Sequence, residues 1–410
     1  MRPLRIGWLI AAIAVSALPF AYPLLHPDLV GGPLPGAAGV AGMLGAVAMW
    51  WQVLLGARQV SRWLSADRGR IMAVHAWLGA GGAFFVFLHP LLEMTADRHD
   101  LTYLVLIDFT WVESTYTSLG RLALMMFLVL WLSSTLLRAA ARHRLWQRVH
   151  YLSYPLVALV FLHAYGIGTF LVELPWLRAY WLVLAGTFAA VAAWRLLSPL
   201  LAPRYRLAAV ERVSAGVTVY RLVSRGRRIR PLPGQFCHLR VATLARSHPF
   251  SVVYADEVTG ELVFAIKDAG PFTARLRELP VGATIRVDGP YGAFTREAQL
   301  DDGPVVLVAG GIGVTPFVDL AARHPDAALY HAVRHPEEAV FAYDLAHRLG
   351  PRYVPAPAPD RLTAARITRD ATEDTAYFVC GSPGFVASMV RDLRAHGVPA
   401  RRLFIERFEW

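Results

Sequence analysis

Cysteine is nearly absent from this chain of 410 residues: Cys237 and Cys380 are the only two, and both fall in the second half. That excludes a disulfide framework and a cysteine-rich metal site. No C-x-x-C-H run occurs either, so any haem would be held without a covalent link. Lysine is scarcer still, with Lys267 alone against a background of arginine. Charged residues make up 17% of the chain and hydrophobic ones 55%, whereas soluble domains carry about 25% charge. The deficit is concentrated in the first half, and the part after about residue 200 reads as an ordinary soluble α/β protein. The net charge of +11 does not point to nucleic acid. Its arginines cluster in short loops between apolar runs, the placement that sets topology in membranes.

Six apolar runs, 6–25, 36–57, 71–94, 119–137, 149–170 and 176–197, are each long enough for a hydrocarbon core of about 30 Å. Arg2 and Arg5 precede the first, as in a secretory signal. The run is long for one and lacks a small-x-small cleavage site, so it reads as a retained span. Arg2 and Arg5, then Arg58, Arg62, Arg68 and Arg70, then Arg138, Arg142, Arg144 and Arg148, then Arg195, Arg204 and Arg206 fall on one side. Asp28, Asp97, Asp100, Asp108, Glu113 and Glu173 lie in the opposite loops. Both termini are therefore expected in the cytoplasm of an integral cell-membrane protein with six spans.

After "SPLLAPRYRL" the chain changes character. From Arg206 to about Arg296, short β-type runs alternate with Gly and Pro turns, as in a small antiparallel barrel. From about Pro304, "VVLVAGG", "AALYHAVR" and "AYFVCG" read as buried strands separated by helical stretches, the pattern of a doubly wound parallel sheet.

"HAWLGAGGAFFVFLH" carries no charge yet has His75 and His89 at its ends, fourteen residues apart. On a helix that is about 21 Å and about 40° from a common face. His150 and His163 form a second pair on the fifth run. A lone intramembrane histidine could simply hydrogen-bond a neighbouring helix. Two depth-matched pairs can instead ligate two haem irons stacked across the bilayer, since imidazole is a good axial ligand. The thirteen-residue interval of the second pair falls near 220° on an ideal helix. A kink at Pro155 is expected to realign it, with His143 as the spare candidate.

These pairs, with "WQRVHYLSY" leading into the fifth run, resemble the ferric reductase-type membrane domain of NADPH oxidases and ferric-chelate reductases. The resemblance implies an inner haem on His75 and His150 and an outer haem on His89 and His163. Relatives often carry an aromatic between the haems on this helix. Here the interval holds Leu156 and Val157, so a bridging ring would come from Phe84 or Phe85. Arg121, opening a span on the base-poor side, is the arginine best suited to a haem propionate.

"HPFS", residues 248–251, is similar to the flavin-binding signature of the ferredoxin-reductase superfamily. His248 and Ser251 would meet the flavin, and Pro249 with Phe250 would shape the wall beside its ring. "AIKDAGPFTARL" follows at the family's spacing for the flavin pyrophosphate, bringing Lys267, Gly270, Pro271, Phe272 and Thr273. Backbone N–H groups at Gly270 and Pro271's turn, and the Thr273 hydroxyl, suit a phosphate. "VVLVAGGIGVTPF" places Gly310, Gly311, Gly313, Val314, Thr315 and Pro316 between a strand and a helix expected to open at Thr315 and Pro316, which suits a dinucleotide pyrophosphate. Arg334 after the next strand favours NADPH over NADH, as no acid stands at that point. "YFVCGSPGF" resembles the C-G-x-P segment, with Cys380 facing nicotinamide beside Gly381, Ser382 and Pro383; as a bare residue, Cys380 would be a small buried apolar group. Trp410, with Phe408 in reserve, corresponds to the aromatic that covers the flavin ring.

The implied architecture is a six-helix transmembrane haem domain in 1–200, a FAD-binding antiparallel β-barrel in 201–300 and an NADPH-binding α/β domain in 301–410. The implied activity is a minimal prokaryotic NADPH oxidase using FAD, two non-covalent b-type haems and NADPH, with dioxygen as acceptor and superoxide as product. A ferric or cupric reductase, or an electron-transfer subunit for an extracytoplasmic partner, would share the path. No EF-hand loop and no obligatory protein partner are legible, so constitutive activity is expected; lipid is the expected surroundings.

Overall fold

The computed structural model describes residues 6–26, 29, 32–63, 68–136, 143–243, 245–295 and 303–408. Trp410 lies outside them, as do Arg2, Arg5, Arg138 and Arg142 among the orienting arginines. The chain divides into two compact bodies, Met1–Leu197 and Ser198–Trp410.

The first body is helical: α1 (Ile6–Ala17), α2 (Pro33–Gly56), α3 (Arg68–Ala96), α4 (Val112–Thr135), α5 (His143–His150), α6 (Ser153–Ile167) and α7 (Pro175–Leu201). Among the described residues five segments are long and apolar enough to cross a membrane: Gly7–Leu25, Pro33–Gly56, Ile71–Ala96, Val112–Thr135 and Pro175–Leu201. The first of them joins α1 to two short helical turns. The run expected as the fifth of six spans is instead broken into α5, α6 and a short helix, Thr169–Glu173.

Two departures from the expected boundaries have local causes. α4 starts seven residues early, because its polar opening satisfies itself: Trp111 N–H donates to Ser114 Oγ, 3.0 Å, and Thr117 Oγ1 donates to the Glu113 carbonyl, 3.0 Å. The second is the break at Tyr151 and Leu152, where the chain turns rather than kinks at Pro155. Pro155 occupies the first turn of α6, where a missing N–H is harmless. The Tyr151 carbonyl accepts from Tyr154 N–H instead, 3.2 Å.

Small residues set the packing, as is usual where helices meet in lipid. A Cβ on Gly82 would lie 2.9 Å from that of Ala48, so α3 closes directly on α2, the most buried helix. Trp50 Nε1 on α2 donates to the Leu184 carbonyl of α7, 3.0 Å, and Trp181 Nε1 on α7 donates to the Phe161 carbonyl of α6, 3.2 Å. Trp8, Trp77 and Phe84 point outward, more than 60% exposed.

The second body holds two sheets. β1 (Arg204–Ser214), β2 (Val217–Ser224), β3 (Phe236–Arg240), β4 (His248–Ser251), β5 (Tyr254–Ala255), β6 (Glu261–Lys267) and β7 (Thr284–Tyr291) pair antiparallel in the order β4-β3-β7-β1-β2-β6-β5. α8 (Pro271–Arg277) lies between β6 and β7. Alternation fills the inside of this sheet with Tyr205, Leu207, Tyr220, Leu222, Leu239 and Val287. β8 (Val305–Gly310), β9 (Ala328–Val333), β10 (Tyr353–Pro357), β11 (Ala376–Gly381) and β12 (Leu403–Arg407) are parallel, in the order β10-β9-β8-β11-β12. The order reverses at β8, so the carboxyl ends of β8 and β11 form the crevice where such sheets bind ligands. Val217, Val219 and Ala265 share one core with Ile312 and Phe317, which binds the two sheets into one body.

Candidate functional site

The histidines meet in two pairs. The ring centres of His75 and His150 are 6.1 Å apart, and those of His89 and His163 are 6.2 Å apart. Two imidazoles sharing a metal, each nitrogen about 2 Å from it and about 1 Å from its ring centre, stand about 6 Å apart. Three rings are steered by main-chain oxygens. Nδ1 of His75 donates to the Gln52 carbonyl at 3.1 Å, that of His89 to Ala38 at 2.9 Å, and that of His163 to Tyr116 at 2.9 Å. Ser134 Oγ lies 3.4 Å from His150 Nδ1. A proton held on Nδ1 leaves the lone pair on Nε2, the arrangement by which a second shell presents a ligand to a metal.

Glycine makes room for the rings. A Cβ on Gly120 would lie 2.5 Å from His163 Nδ1, and one on Gly42 would lie 3.0 Å from His89 Nδ1. Among the described residues no group of three or more His, Cys, Asp or Glu is placed to hold a bare ion. Paired imidazoles therefore suit an iron that brings its other ligands with it, as haem does. Trp131 Nε1 and Arg121 Nε are buried donors without an acceptor among the described residues. Another Arg121 nitrogen, Nη1, donates to the Leu106 carbonyl, 2.6 Å, and its guanidinium lies 4.4 Å from the Tyr103 ring centre.

The break after α5 resolves the angular mismatch of His150 and His163, which sit on two helices and not on one kinked one. The expected source of a bridging ring is narrowed as well. Phe84 is 62% exposed whereas Phe85 is half-buried, and α3 also turns Phe87 inward, 5.6 Å from Phe127 and 5.7 Å from Trp131. Leu156 and Val157 are buried.

In the second body, β4 carries His248, Pro249, Phe250 and Ser251, with Pro249 exposed and the others half-buried. Phe272 on α8 stacks on His248 with centres 4.1 Å apart and lies 5.8 Å from Phe250, so the two motifs form one aromatic wall. Gly270 has φ +126°, a conformation that favours glycine, and Pro271 starts the helix. Lys267 ends β6, half-buried. Thr273 departs from its expected role. Its hydroxyl accepts from Ala269 N–H, 3.0 Å, and donates to the Gly270 carbonyl, 2.9 Å, so it holds the turn from inside.

At the crevice, Gly310 and Gly311 are half-buried while Gly313, Val314, Thr315 and Pro316 are buried. A 3-10 turn, Gly311–Phe317, follows β8, and Pro316 lies inside it; the helix expected to open at Thr315 and Pro316 begins at Val318. A Cβ on Gly313 would lie 2.5 Å from the Cys380 carbonyl oxygen, so this glycine serves the contact with β11. Gly381 ends β11, and exposed Ser382 and Pro383 open the helix Pro383–Ala395. Arg334 follows β9 and is exposed. Cys380 is fully buried, and that burial pushes its thiol well above the ordinary range. Its side chain belongs to the core that also holds Ile312 and Val314 and against which Phe408 packs. Phe408 N–H donates to the Gly381 carbonyl, 3.0 Å.

His331 was not legible as a site residue. Buried on β9, its Nε2 donates to the Gly311 carbonyl, 2.9 Å, and its Nδ1 accepts from Tyr353 O–H, 3.1 Å. Burial lowers the His331 pKa to about 4 and pushes Tyr353 up to about 12, so a neutral ring pins the glycine loop. Only its place on a buried strand next to the glycine turn could have marked it.

Together the two bodies define a membrane-embedded oxidoreductase architecture. Residues 41–161 match the ferric reductase like transmembrane component, and residues 204–295 match the oxidoreductase FAD-binding domain. The chain thus joins a ferric reductase-like transmembrane domain to a FAD-binding oxidoreductase domain. The first match includes His75, His89 and His150 and ends just before His163. Dual oxidase 2 of Rattus norvegicus is 28% identical over 278 residues, 63% of this chain and 18% of that one. The dihydroorotate dehydrogenase B (NAD(+)) electron transfer subunit of Geobacillus kaustophilus is 36% identical over 110 residues, 25% of this chain and 43% of that one. The propane 2-monooxygenase reductase component of Mycolicibacterium smegmatis is 29% identical over 209 residues, 43% of this chain and 58% of that one. The chain spans less than two thirds of each of these relatives.

Proposed function

We propose that the chain is a transmembrane NADPH oxidase that moves electrons from cytoplasmic NADPH, by way of FAD and two stacked b-type haems, to dioxygen on the opposite face. The observation that carries this reading is the two histidine pairs, at 6.1 and 6.2 Å, each on facing helices. When bound, FAD would supply the exchange between a two-electron hydride and single electrons, and haem iron would supply one-electron carriage. One NADPH and two dioxygen molecules then give NADP+, a proton and two superoxide ions.

The chain's own residues bind and orient. His75 and His150 hold the inner haem and His89 and His163 the outer one, with Arg121 beside an outer propionate. His248, Pro249, Phe250, Ser251 and Phe272 wall the flavin, and Lys267, Gly270, Pro271 and Thr273 shape its pyrophosphate turn. Gly310, Gly311, Gly381, Ser382 and Pro383 receive NADPH at the crevice, and exposed Arg334 meets its 2′-phosphate. Gly313, Val314, Thr315, Pro316 and Cys380 support that loop from behind. Trp410, or Phe408, covers the flavin ring. Six spans with both termini in the cytoplasm complete the reading, the broken run of α5, α6 and Thr169–Glu173 counting as one crossing.

A ferric reductase is the second reading, favoured by exposed Asp97, Asp100 and Glu113 with half-buried Asp108 and by the ferric reductase-like match at residues 41–161. Proteoliposomes supplied with NADPH on the flavin side decide between them. Dismutase-sensitive reduction of an impermeant dye on the far side is expected. Dismutase-insensitive, anaerobic reduction of Fe(III) chelate with no superoxide would replace the oxidase by the reductase.

A further inference from the structure

A histidine is costly to bury inside a strand, and β9 carries one, His331. Leu329, on the same face of β9, belongs to the core that holds Ile312 and Phe317. An apolar residue at 331 would extend that core and need no polar partner. His331 instead has two: its Nε2 reaches the Gly311 carbonyl at 2.9 Å and its Nδ1 the Tyr353 hydroxyl at 3.1 Å. A carbonyl can only accept, so the ring proton sits on Nε2, and Nδ1 accepts from the phenol. Ala309 stands beside His331 in the parallel register, and its small side chain lets the ring lean forward to the turn that follows β8.

What the bond fixes is the direction of one peptide. Gly311 has φ +55°, a backbone that favours glycine, whereas a Cβ there would meet nothing within 4 Å among the described residues. The glycine is needed for its twist and not for clearance. Glycine also loses the most freedom on ordering, so this turn keeps one shape when something outside it does the holding. Carbonyl and following N–H point opposite ways in a trans peptide. With the Gly311 carbonyl drawn to His331, the Ile312 N–H is turned away from the ring. Two contacts stiffen the residues that follow: Thr315 Oγ1 donates to the Ile312 carbonyl, 3.0 Å, and Gly313 closes on Cys380. Neither is made to Gly311, whose carbonyl is left to His331.

We infer that His331 is the positioning residue of the nucleotide crevice: by holding the Gly311 carbonyl it presets the turn that receives the NADPH pyrophosphate, and so sets nucleotide affinity. That role rests on the crevice being an NADPH site. β9 then serves the dinucleotide twice, through Arg334 beyond its end and through His331 within it.

The test uses the full chain with its flavin in detergent and two readouts. One is calorimetric binding of NADP+. The other is anaerobic flavin reduction by NADPH or by 1-benzyl-1,4-dihydronicotinamide, a hydride donor without phosphates. His331→Leu is expected to weaken NADP+ binding about tenfold and to raise the half-saturating NADPH concentration in step. The limiting rate and the rate with the benzyl donor are expected to stay unchanged. Recovery of affinity in His331→Gln, whose amide N–H can reach the same carbonyl, supports the role. Wild-type NADP+ affinity in His331→Leu overturns it, and so does an equal loss of rate with both donors, the mark of a damaged fold. If the wild type binds no NADP+, the reading of the crevice falls and this role with it. If His331→Leu does not fold, Tyr353→Phe decides, because it removes the donor that keeps Nδ1 unprotonated. A several-fold loss of NADP+ affinity then supports the role, and no loss overturns it.

Discussion

Gly120 shows how much a single missing atom decides. His163 lies where a Cβ on residue 120 would stand, so Gly120→Ala forces the ring away from the Tyr116 carbonyl. The proposed haem content then falls from two per chain to one, as a pyridine haemochrome assay would read. His331 yields a prediction of a different kind. Its folded pKa of about 4 lies below the ordinary 6.5. Between those values the unfolded chain binds a proton that the folded chain refuses, so stability is full above pH 6.5 and falls as the pH drops toward 4. The loss amounts to about 3 kcal/mol at most. Denaturant unfolding of the full chain, followed by flavin release, should show that slope, and His331→Gln should flatten it. The two histidine pairs were legible because imidazoles repeated at matched intervals inside apolar runs are costly in lipid unless something there binds them. His331 was not, since a histidine on a buried strand carries no local signature, and its partner Gly311 is reached only through the register of the parallel sheet.

The elements were legible in kind and less so in their ends. Hydropathy runs unbroken through "VHYLSYPLVALVF", so it cannot reveal that α5 stops at His150. Pro155 is compatible with a kink or with a first turn, and only the competing hydrogen bond to the Tyr151 carbonyl selects the second. The same ambiguity hid the 3-10 turn after β8, because glycines followed by Thr-Pro suit either a helix start or a tight buried turn. The break makes a sharp prediction. One alanine inserted between Tyr151 and Leu152 rotates and shifts α5 against α6 by about 100°. His150 then leaves His75 while His163 keeps its partner, so one haem signal disappears from the reduced-minus-oxidised spectrum and the other stays.

For the whole molecule, the uneven charge of the sequence foretold the division between an apolar helical body and a soluble-type body. The number of crossings was harder to read, because α6, at 15 residues, is shorter than each of the five segments long enough to cross a membrane. Orientation is directly testable, since both native cysteines are buried. On intact cells an impermeant maleimide should label Asp97→Cys and spare Glu337→Cys until the membrane is opened. The reverse pattern would invert the proposed topology.

Three of the four intramembrane imidazoles take their tilt from oxygens at residues 38, 52 and 116 that every amino acid supplies. A substitution there leaves the acceptor oxygen in place, although at fully buried Ala38 only a side chain no larger than the present one fits. Beside His150 the steering atom is a hydroxyl, erasable by Ser134→Ala. Of the four, that ring offers a single-codon handle for retuning the midpoint potential of the proposed inner haem.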